Sequence, residues 1–228
     1  MIRFFYNLSP NPMKVALLLE ELGLPYEPVP VDARKGEQFA PGFLAVNPNG
    51  KVPAIQDGDA AVFDSNAILL YLAEKHGRFL PSRGTPEARG ALLSWLMFVA
   101  TGLGPFSGQC VHFRHFAPEP KDYAVRRYLF EAERHYGVLD ARLKDNRHVL
   151  GDDYTIVDMG AWGWARLAPF VMGDGAWAKF PNVKRWFDEV NARPAAARAE
   201  ALKERHAFKT EWDEDARRHM FRHMAPAA

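Results

Sequence analysis

Asn47-Pro48-Asn49-Gly50-Lys51-Val52-Pro53-Ala54-Ile55 and, one short hairpin later, Phe63-Asp64-Ser65-Asn66-Ala67-Ile68-Leu69-Leu70-Tyr71-Leu72 decide how this chain is read. Pro48-Asn49-Gly50 marks a turn. Lys51 to Gln56 reads as a strand, Asp57-Gly58 as a type I′ hairpin signal, and Ala60 to Phe63 as the return strand. Ser65 to His76 is a helix ending at Gly77. Pro53 stands at a strand start, where its missing N–H costs no ladder bond. The ordinary reading of Val52-Pro53 is a trans edge proline. The alternative is a cis peptide, a minority state, which bends the chain and frees the N–H and C=O of Val52 for a ligand. Asp64-Ser65 has two readings as well. One is a plain N-cap. The other is a receptor for an α-amino acid head group: free helix N–H groups take a carboxylate, and the acidic side chain takes an ammonium.

Upstream, residues 2–6, IRFFY, read as a short buried strand. Asn7 to Pro12 is a loop, and Met13 to Leu22 a helix whose Val15, Leu18, Leu19 and Leu22 follow the helical period, with Gly23 as C-cap. Tyr26 to Val31 is a second strand. The order β-α-β then β-β-α predicts an α/β unit with a mixed sheet. Ser9-Pro10-Asn11-Pro12, just before the first helix, reads either as a capping turn or as a hydroxyl and an amide placed to donate to a thiolate. Such donors lower a thiol's pKa.

Downstream, Pro81 to Pro86 reads as a linker, and no strand is predicted beyond it. Helices are predicted at 87–101, 121–144, 155–169, 182–192 and near 195–205, with Pro105 and Pro118 as interruptions. Three segments follow: 1–80, 87–205 and a charged extension over 206–228. Thr155 and Asp158 have capping-box spacing.

Composition narrows the function classes. The 29 Lys+Arg against 28 Asp+Glu argue against a nucleic-acid partner. A 48% apolar fraction supports a folded core. The start, MIRFFYNLSPNPMK, has no long apolar h-region. The best apolar run, Ala67 to Ala73, falls far short of the ~20 residues that span a bilayer, so no membrane partner is expected. The single cysteine, Cys110, rules out an intrachain disulfide. Together these features predict a cytoplasmic protein. His112, His115, His206, His219 and His223 lack metal-ligand spacing, so no metal is expected. Trp162 and Trp164 read as core, with Trp164 also a candidate border of a substrate pocket.

The ordered set of strand, Ser-x-Asn loop, helix, Asn47-to-Ile55 stretch, Asp64-Ser65 helix start and Thr155-to-Asp158 box resembles the glutathione transferase family, over residues 1 to about 205. Ser9-Pro10-Asn11, Lys35-Gly36-Glu37-Gln38-Phe39 and Gly104-Pro105-Phe106-Ser107-Gly108-Gln109 are similar to its bacterial nu class and the Ure2-like disulfide-bond oxidoreductases. The resemblance implies a thioredoxin-like N-terminal domain with Pro53 cis, an all-α C-terminal bundle and a homodimer. It implies glutathione, reduced or as the disulfide, as co-substrate, and reduction of a small disulfide without a catalytic cysteine. Ser9 and Asn11 are then the donors to the glutathione sulfur. Gln38, Lys51, Val52, Pro53, Asp64 and Ser65 hold the tripeptide, and Arg127 serves the partner subunit's site. Ser9 stands where Thr is usual, and Asp64 where Glu is usual. Two other readings remain open: a transferase acting on electrophiles or hydroperoxides, and a non-catalytic glutathione-binding module. Tyr6, at a strand end, is a core aromatic first and a thiolate donor second.

Overall fold

The structure, a computed structural model, describes residues 1–119 and 121–222. His223 and the last part of the predicted extension, 223–228, lie outside the described residues. The chain runs β1 (Ile2–Tyr6), α1 (Pro10–Leu22), β2 (Tyr26–Pro30), two short 3₁₀ turns (Ala33–Lys35, Glu37–Phe39), α2 (Pro41–Leu44), β3 (Ala54–Asp57), β4 (Ala60–Phe63) and α3 (Ser65–His76). The helical half follows with α4 (Pro86–Phe98), α5 (Gly104–Val111), α6 (Asp122–Lys144), α7 (Ile156–Ala165), α8 (Ala168–Met172), α9 (Ala176–Lys179), α10 (Pro181–Asn191), α11 (Pro194–Glu200) and α12 (Glu214–Met220).

The four strands lie in the order β2-β1-β3-β4, with β1 parallel to β2 and the other pairs antiparallel. This is the predicted mixed sheet of a thioredoxin-like domain. Alternation along β1 sorts its aromatics to two faces. Ile2, Phe4 and Tyr6 enter the main core with α1 and α3, while Phe5 packs on Phe43 of α2. α1 is buried on nearly every side because it lies between the sheet and α7, so one core spans both halves of the chain. Where α1 meets α7 the fit is close. A Cβ on Gly163 would stand 2.5 Å from Lys14 Cγ and 2.6 Å from the Pro10 carbonyl oxygen, so only glycine lets these helices touch there.

Several boundaries differ from the sequence expectation. α1 starts at Pro10, not Met13, because proline at N1 is already set for a helix and gives up an N–H that would be unpaired anyway. Asn11 therefore sits in the first helical turn, not in a loop. β3 starts at Ala54, so Lys51, Val52 and Pro53 stay outside the ladder. The Val52-Pro53 peptide is cis.

The expected break at Pro105 does not occur. A wide π turn, Val99–Leu103, lets Gly104 N–H donate to the Val99 carbonyl five residues back, and Pro105 then falls in the first turn of α5, where no N–H is needed. Helical geometry continues through a second π turn, His112–Phe116. The resulting helical run, Pro86–Phe116, has 31 residues and is long and apolar enough to cross a membrane by length and composition, which corrects the expectation that no stretch approaches that size. Here Leu92, Leu96, Val99, Leu103 and Cys110 bury its inner face in the helical half.

Candidate active site

A cleft of about 490 Å³ opens between the sheet domain and the helices. Ser9, Asn11, Gln38, Lys51, Val52, Pro53, Asp64 and Ser65 all line it. They come from four separate segments: the start of α1, the second 3₁₀ turn, the 51–53 segment outside the ladder, and the start of α3. Arg127 does not join them. It lies on α6, paired with Glu131 at 2.6 Å.

The start of α1 provides hydrogen-bond donors. Of its first three positions, Pro10 and Pro12 have no N–H, so Asn11 supplies the only backbone donor there. The Asn11 side-chain oxygen accepts from Trp164 Nε1 at 3.1 Å. An indole nitrogen can only donate, so the amide oxygen must face it. The Asn11 amide nitrogen is thereby left as a free donor at the cleft. Ser9 is differently placed: its hydroxyl donates to Asn7 Oδ1 at 2.6 Å, and its backbone N–H donates to the same oxygen at 3.0 Å. For Ser9 to donate to a ligand, its hydroxyl has to leave Asn7.

The 51–53 segment is shaped by Asn47, whose amide donates to the Lys51 carbonyl and whose oxygen accepts from Asn49 N–H at 3.0 Å. Val52, outside the strand pairing, lines the cleft. At the start of α3, Asp64 has φ +70°, an uncommon conformation for a residue with a Cβ. Its Oδ1 caps the helix, accepting from Asn66 N–H at 2.8 Å and Ala67 N–H at 3.2 Å. Capping uses Oδ1 alone and leaves the second carboxylate oxygen without a hydrogen bond among the described residues. Gln38 is 5% exposed; its amide donates to the His219 carbonyl at 3.4 Å, and its oxygen is buried without a partner.

Two further cavities adjoin the cleft. The inner one, about 460 Å³, lies behind Asp64 and Ser65. The outer one, about 440 Å³, has an apolar wall that includes Phe116, Leu167, Phe170 and Phe208. Trp164 borders all three, as its candidate role requires, while Trp162 is fully buried.

Sequence reasoning missed two parts of the site. One is Lys14, 1% exposed, whose ammonium donates to Ser65 Oγ at 3.3 Å. Burial pushes its pKa down to about 7, with Asp64 acting in the opposite direction. The available signal was its position one turn before Leu18, on the apolar face of α1. The other is the C-terminal segment. Asp32 accepts from Lys209 N–H at 2.7 Å, the Arg34 guanidinium stacks over Trp212 at 5.6 Å and that of Arg222 over Phe39 at 4.3 Å, and Met220 enters the cleft wall.

Tyr6 does not line any of these cavities. It is fully buried, its hydroxyl lies 3.0 Å from His206 Nδ1, and burial raises its pKa. Cys110 likewise lines none of these cavities and is buried. Its thiol donates to the Val171 carbonyl at 3.2 Å, and burial pushes its pKa up against the opposing Arg114 guanidinium.

Comparison with known proteins agrees with this geometry. The family described as "Glutathione S-transferase, N-terminal domain" matches residues 8–75, and "Glutathione S-transferase, C-terminal domain" matches residues 105–194. The chain is 42% identical over 213 residues to disulfide-bond oxidoreductase YfcG of Escherichia coli, covering 87% of this chain and 94% of that protein. It is 40% identical over 212 residues to disulfide-bond oxidoreductase YghU of the same organism, covering 85% and 72%. A glutathione transferase family member from Pseudomonas fluorescens, solved with two glutathione bound, superposes with a TM-score of 0.81 at 38% identity, covering 87% of this chain and 91% of that one. The transferase URE2P6 of Phanerochaete chrysosporium, solved with oxidized glutathione, gives 0.83 at 35% identity, covering 90% and 96%. With both halves matched and a relative at 42% identity covered over 94% of its length, this chain belongs to the glutathione S-transferase family.

Proposed function

We propose that the protein is a glutathione-dependent disulfide-bond oxidoreductase in which bound glutathione, and no protein thiol, is the nucleophile. One observation carries this reading. The free amide donor of Asn11, the unpaired backbone of Val52 and the Asp64-Ser65 helix start converge on one cleft that contains no cysteine among its lining residues. In this reading the γ-glutamyl head sits at Asp64-Ser65, the cysteinyl unit pairs with Val52, Gln38 and Lys51 hold the remainder, and the sulfur lies at Asn11 and Ser9. The outer cavity takes a second glutathione or the substrate.

The chemistry balances without any other reagent. The thiolate of the first glutathione attacks one sulfur of the substrate disulfide; that S–S bond breaks and the other sulfur leaves as a thiolate, which takes up a proton. The second glutathione attacks the sulfur of the first in the mixed disulfide, forming glutathione disulfide and releasing the second substrate thiol. A free thiol has a pKa near 8.5, so few are ionised at neutral pH. The Asn11 donor raises that fraction.

The apolar wall of the outer cavity favours a second reading, conjugation of glutathione to an apolar electrophile. Two assays on one preparation separate them: reduction of a small disulfide by glutathione, and conjugation of a chromogenic electrophile. The first is expected to exceed the second. Failure of both, with glutathione still raising the melting temperature, would identify a binding module, because a ligand bound only by the native state stabilises it.

The reading also comprises residues 1–80 as the glutathione domain, 87–205 as the helical domain, a cytoplasmic setting and a twofold homodimer. Arg127 supports the dimer, since it is remote from its own cleft. Exposed Met97, Tyr123 and Phe130 on α4 and α6 support it too, as apolar groups a partner would cover. Light scattering at micromolar concentration should give twice the chain mass; a monomer alone would remove Arg127 from the site.

A further inference from the structure

The inner cavity behind Asp64 and Ser65 contains a group that the proposed mechanism leaves unused. Lys14 belongs to α1, one turn after Asn11 on the same side of the helix. Its alkyl stem is clamped by α7 at Gly163, where not even a methyl group would fit. Its ammonium ends on Ser65 Oγ at the cavity wall. Ser65 is itself 3% exposed. Among the described residues no ion pair to this ammonium is present; its partner is Ser65 Oγ, while Asp64 caps its own helix. Asn66, beside it, is buried with its side-chain oxygen unpaired.

A lysine held in this way is an unusual use of a charge. Buried ammonium groups are costly without an anion, and a neighbouring hydroxyl is a weak substitute. The charged residues lining the inner cavity are Lys14, Lys51 and Asp64; the other wall residues, from the Val99–Leu103 turn, α5 and α7, carry none. Asp64 keeps a free oxygen for a cation, and Lys14 keeps an ammonium for an anion. Both signs line the same cavity as Ser65.

We propose that Lys14 is a binding residue of the γ-glutamyl pocket, its ammonium taking the ligand's α-carboxylate from below together with Ser65, while Asp64 takes the α-ammonium. The pocket thereby selects a zwitterionic amino-acid head. This rests on the glutathione reading above. It assigns to this chain itself a cation for the carboxylate, independent of any residue donated by a partner subunit.

The geometry has a thermodynamic signature. Burial lowers the pKa of Lys14 to about 7. A carboxylate beside it favours the charged form, so binding must draw in a proton at and above neutral pH. A lysine serving only to prop Ser65 would leave the proton balance unchanged.

The test is titration calorimetry of the full chain with S-methylglutathione, which has no thiol to ionise, at pH 7.5 in two buffers of different ionisation enthalpy. Wild type should take up roughly 0.7 proton per site if the bound pKa rises to about 9 or above. Lys14→Met should abolish that uptake and weaken binding about tenfold or more, the scale of a lost charge-assisted hydrogen bond. An analogue with the γ-glutamyl α-carboxylate removed should bind wild type and Lys14→Met equally. Wild-type binding without proton uptake would overturn the role of Lys14 even if the variant failed to fold, and leave the glutathione reading standing. So would a Lys14→Met protein that lost affinity for both ligands alike. No binding of S-methylglutathione by wild type would overturn the glutathione reading, and this proposal with it.

Discussion

Asp158→Ala is expected to lower the melting temperature by about 10 °C or more. The Asp158 carboxylate is fully buried and accepts from Val149 N–H at 3.0 Å, Thr155 N–H at 2.9 Å, Thr155 Oγ1 at 3.2 Å and Trp186 Nε1 at 2.9 Å. It forms one half of the capping box at the start of α7 and at the same time ties in the preceding loop and α10. Alanine would leave these buried donors unpaired, each costing about 1–3 kcal/mol before relaxation. Even a net loss of ~4 kcal/mol corresponds to roughly 8–16 °C for a chain of this length. Thr155→Val removes only the hydroxyl and should cost about 1 kcal/mol, as lost caps do. Calorimetry or circular dichroism melting decides the matter. A drop of under about 3 °C for Asp158→Ala would mean that the carboxylate is not the anchor of the helical domain.

Asn11→Ala is expected to lower disulfide reductase activity by about an order of magnitude or more, whereas Cys110→Ala leaves it nearly intact. A hydrogen bond to a charged sulfur is worth ~1.4 kcal/mol or more, which is tenfold in rate. Cys110 packs in a small cluster with Ala132, Trp164 and Val171 and does not itself line the cleft, and its thiol is occupied by a backbone carbonyl. Trp164→Phe serves as the control. It removes the bond that orients Asn11 but keeps the amide, so its loss should be smaller than that of Asn11→Ala. Kinetics with glutathione and one small disulfide, fitted for kcat and kcat/KM, measure all three. Loss of activity in Cys110→Ala with Asn11→Ala unaffected would make a protein thiol the nucleophile.

The two donors at the start of α1 are not equivalent. The Ser9 hydroxyl is committed to Asn7, while the Asn11 amide is oriented by Trp164 and unspent. Trp164 comes from α7 in the helical domain. The helical half therefore sets the orientation of a group in the sheet domain, besides walling the cleft.

The local patterns of the chain determined most of this protein. The aromatic strand 2–6, the Asp57-Gly58 hairpin, the Asp64-Ser65 helix start and the Thr155-Asp158 box are all legible, because each depends on residues within a few positions of one another, whereas the cis Val52-Pro53 peptide followed from the family resemblance and not from its local reading. Even Cys110 could be set aside from its place in the chain. Tertiary structure decided the rest. Whether Pro105 breaks a helix depends on the π turn before it. Whether Ser9 or Asn11 is free depends on Asn7 and on Trp164. The burial of Lys14 depends on α7, which closes over its stem at Gly163. The charged extension can be read as a loose tail or as a cover for the pocket, and only its contacts with Asp32, Arg34 and Phe39 decide that it is bound back. Burial and partner choice are properties of distant pairs, and a period or a turn motif carries no information about which distant segment comes to lie on it.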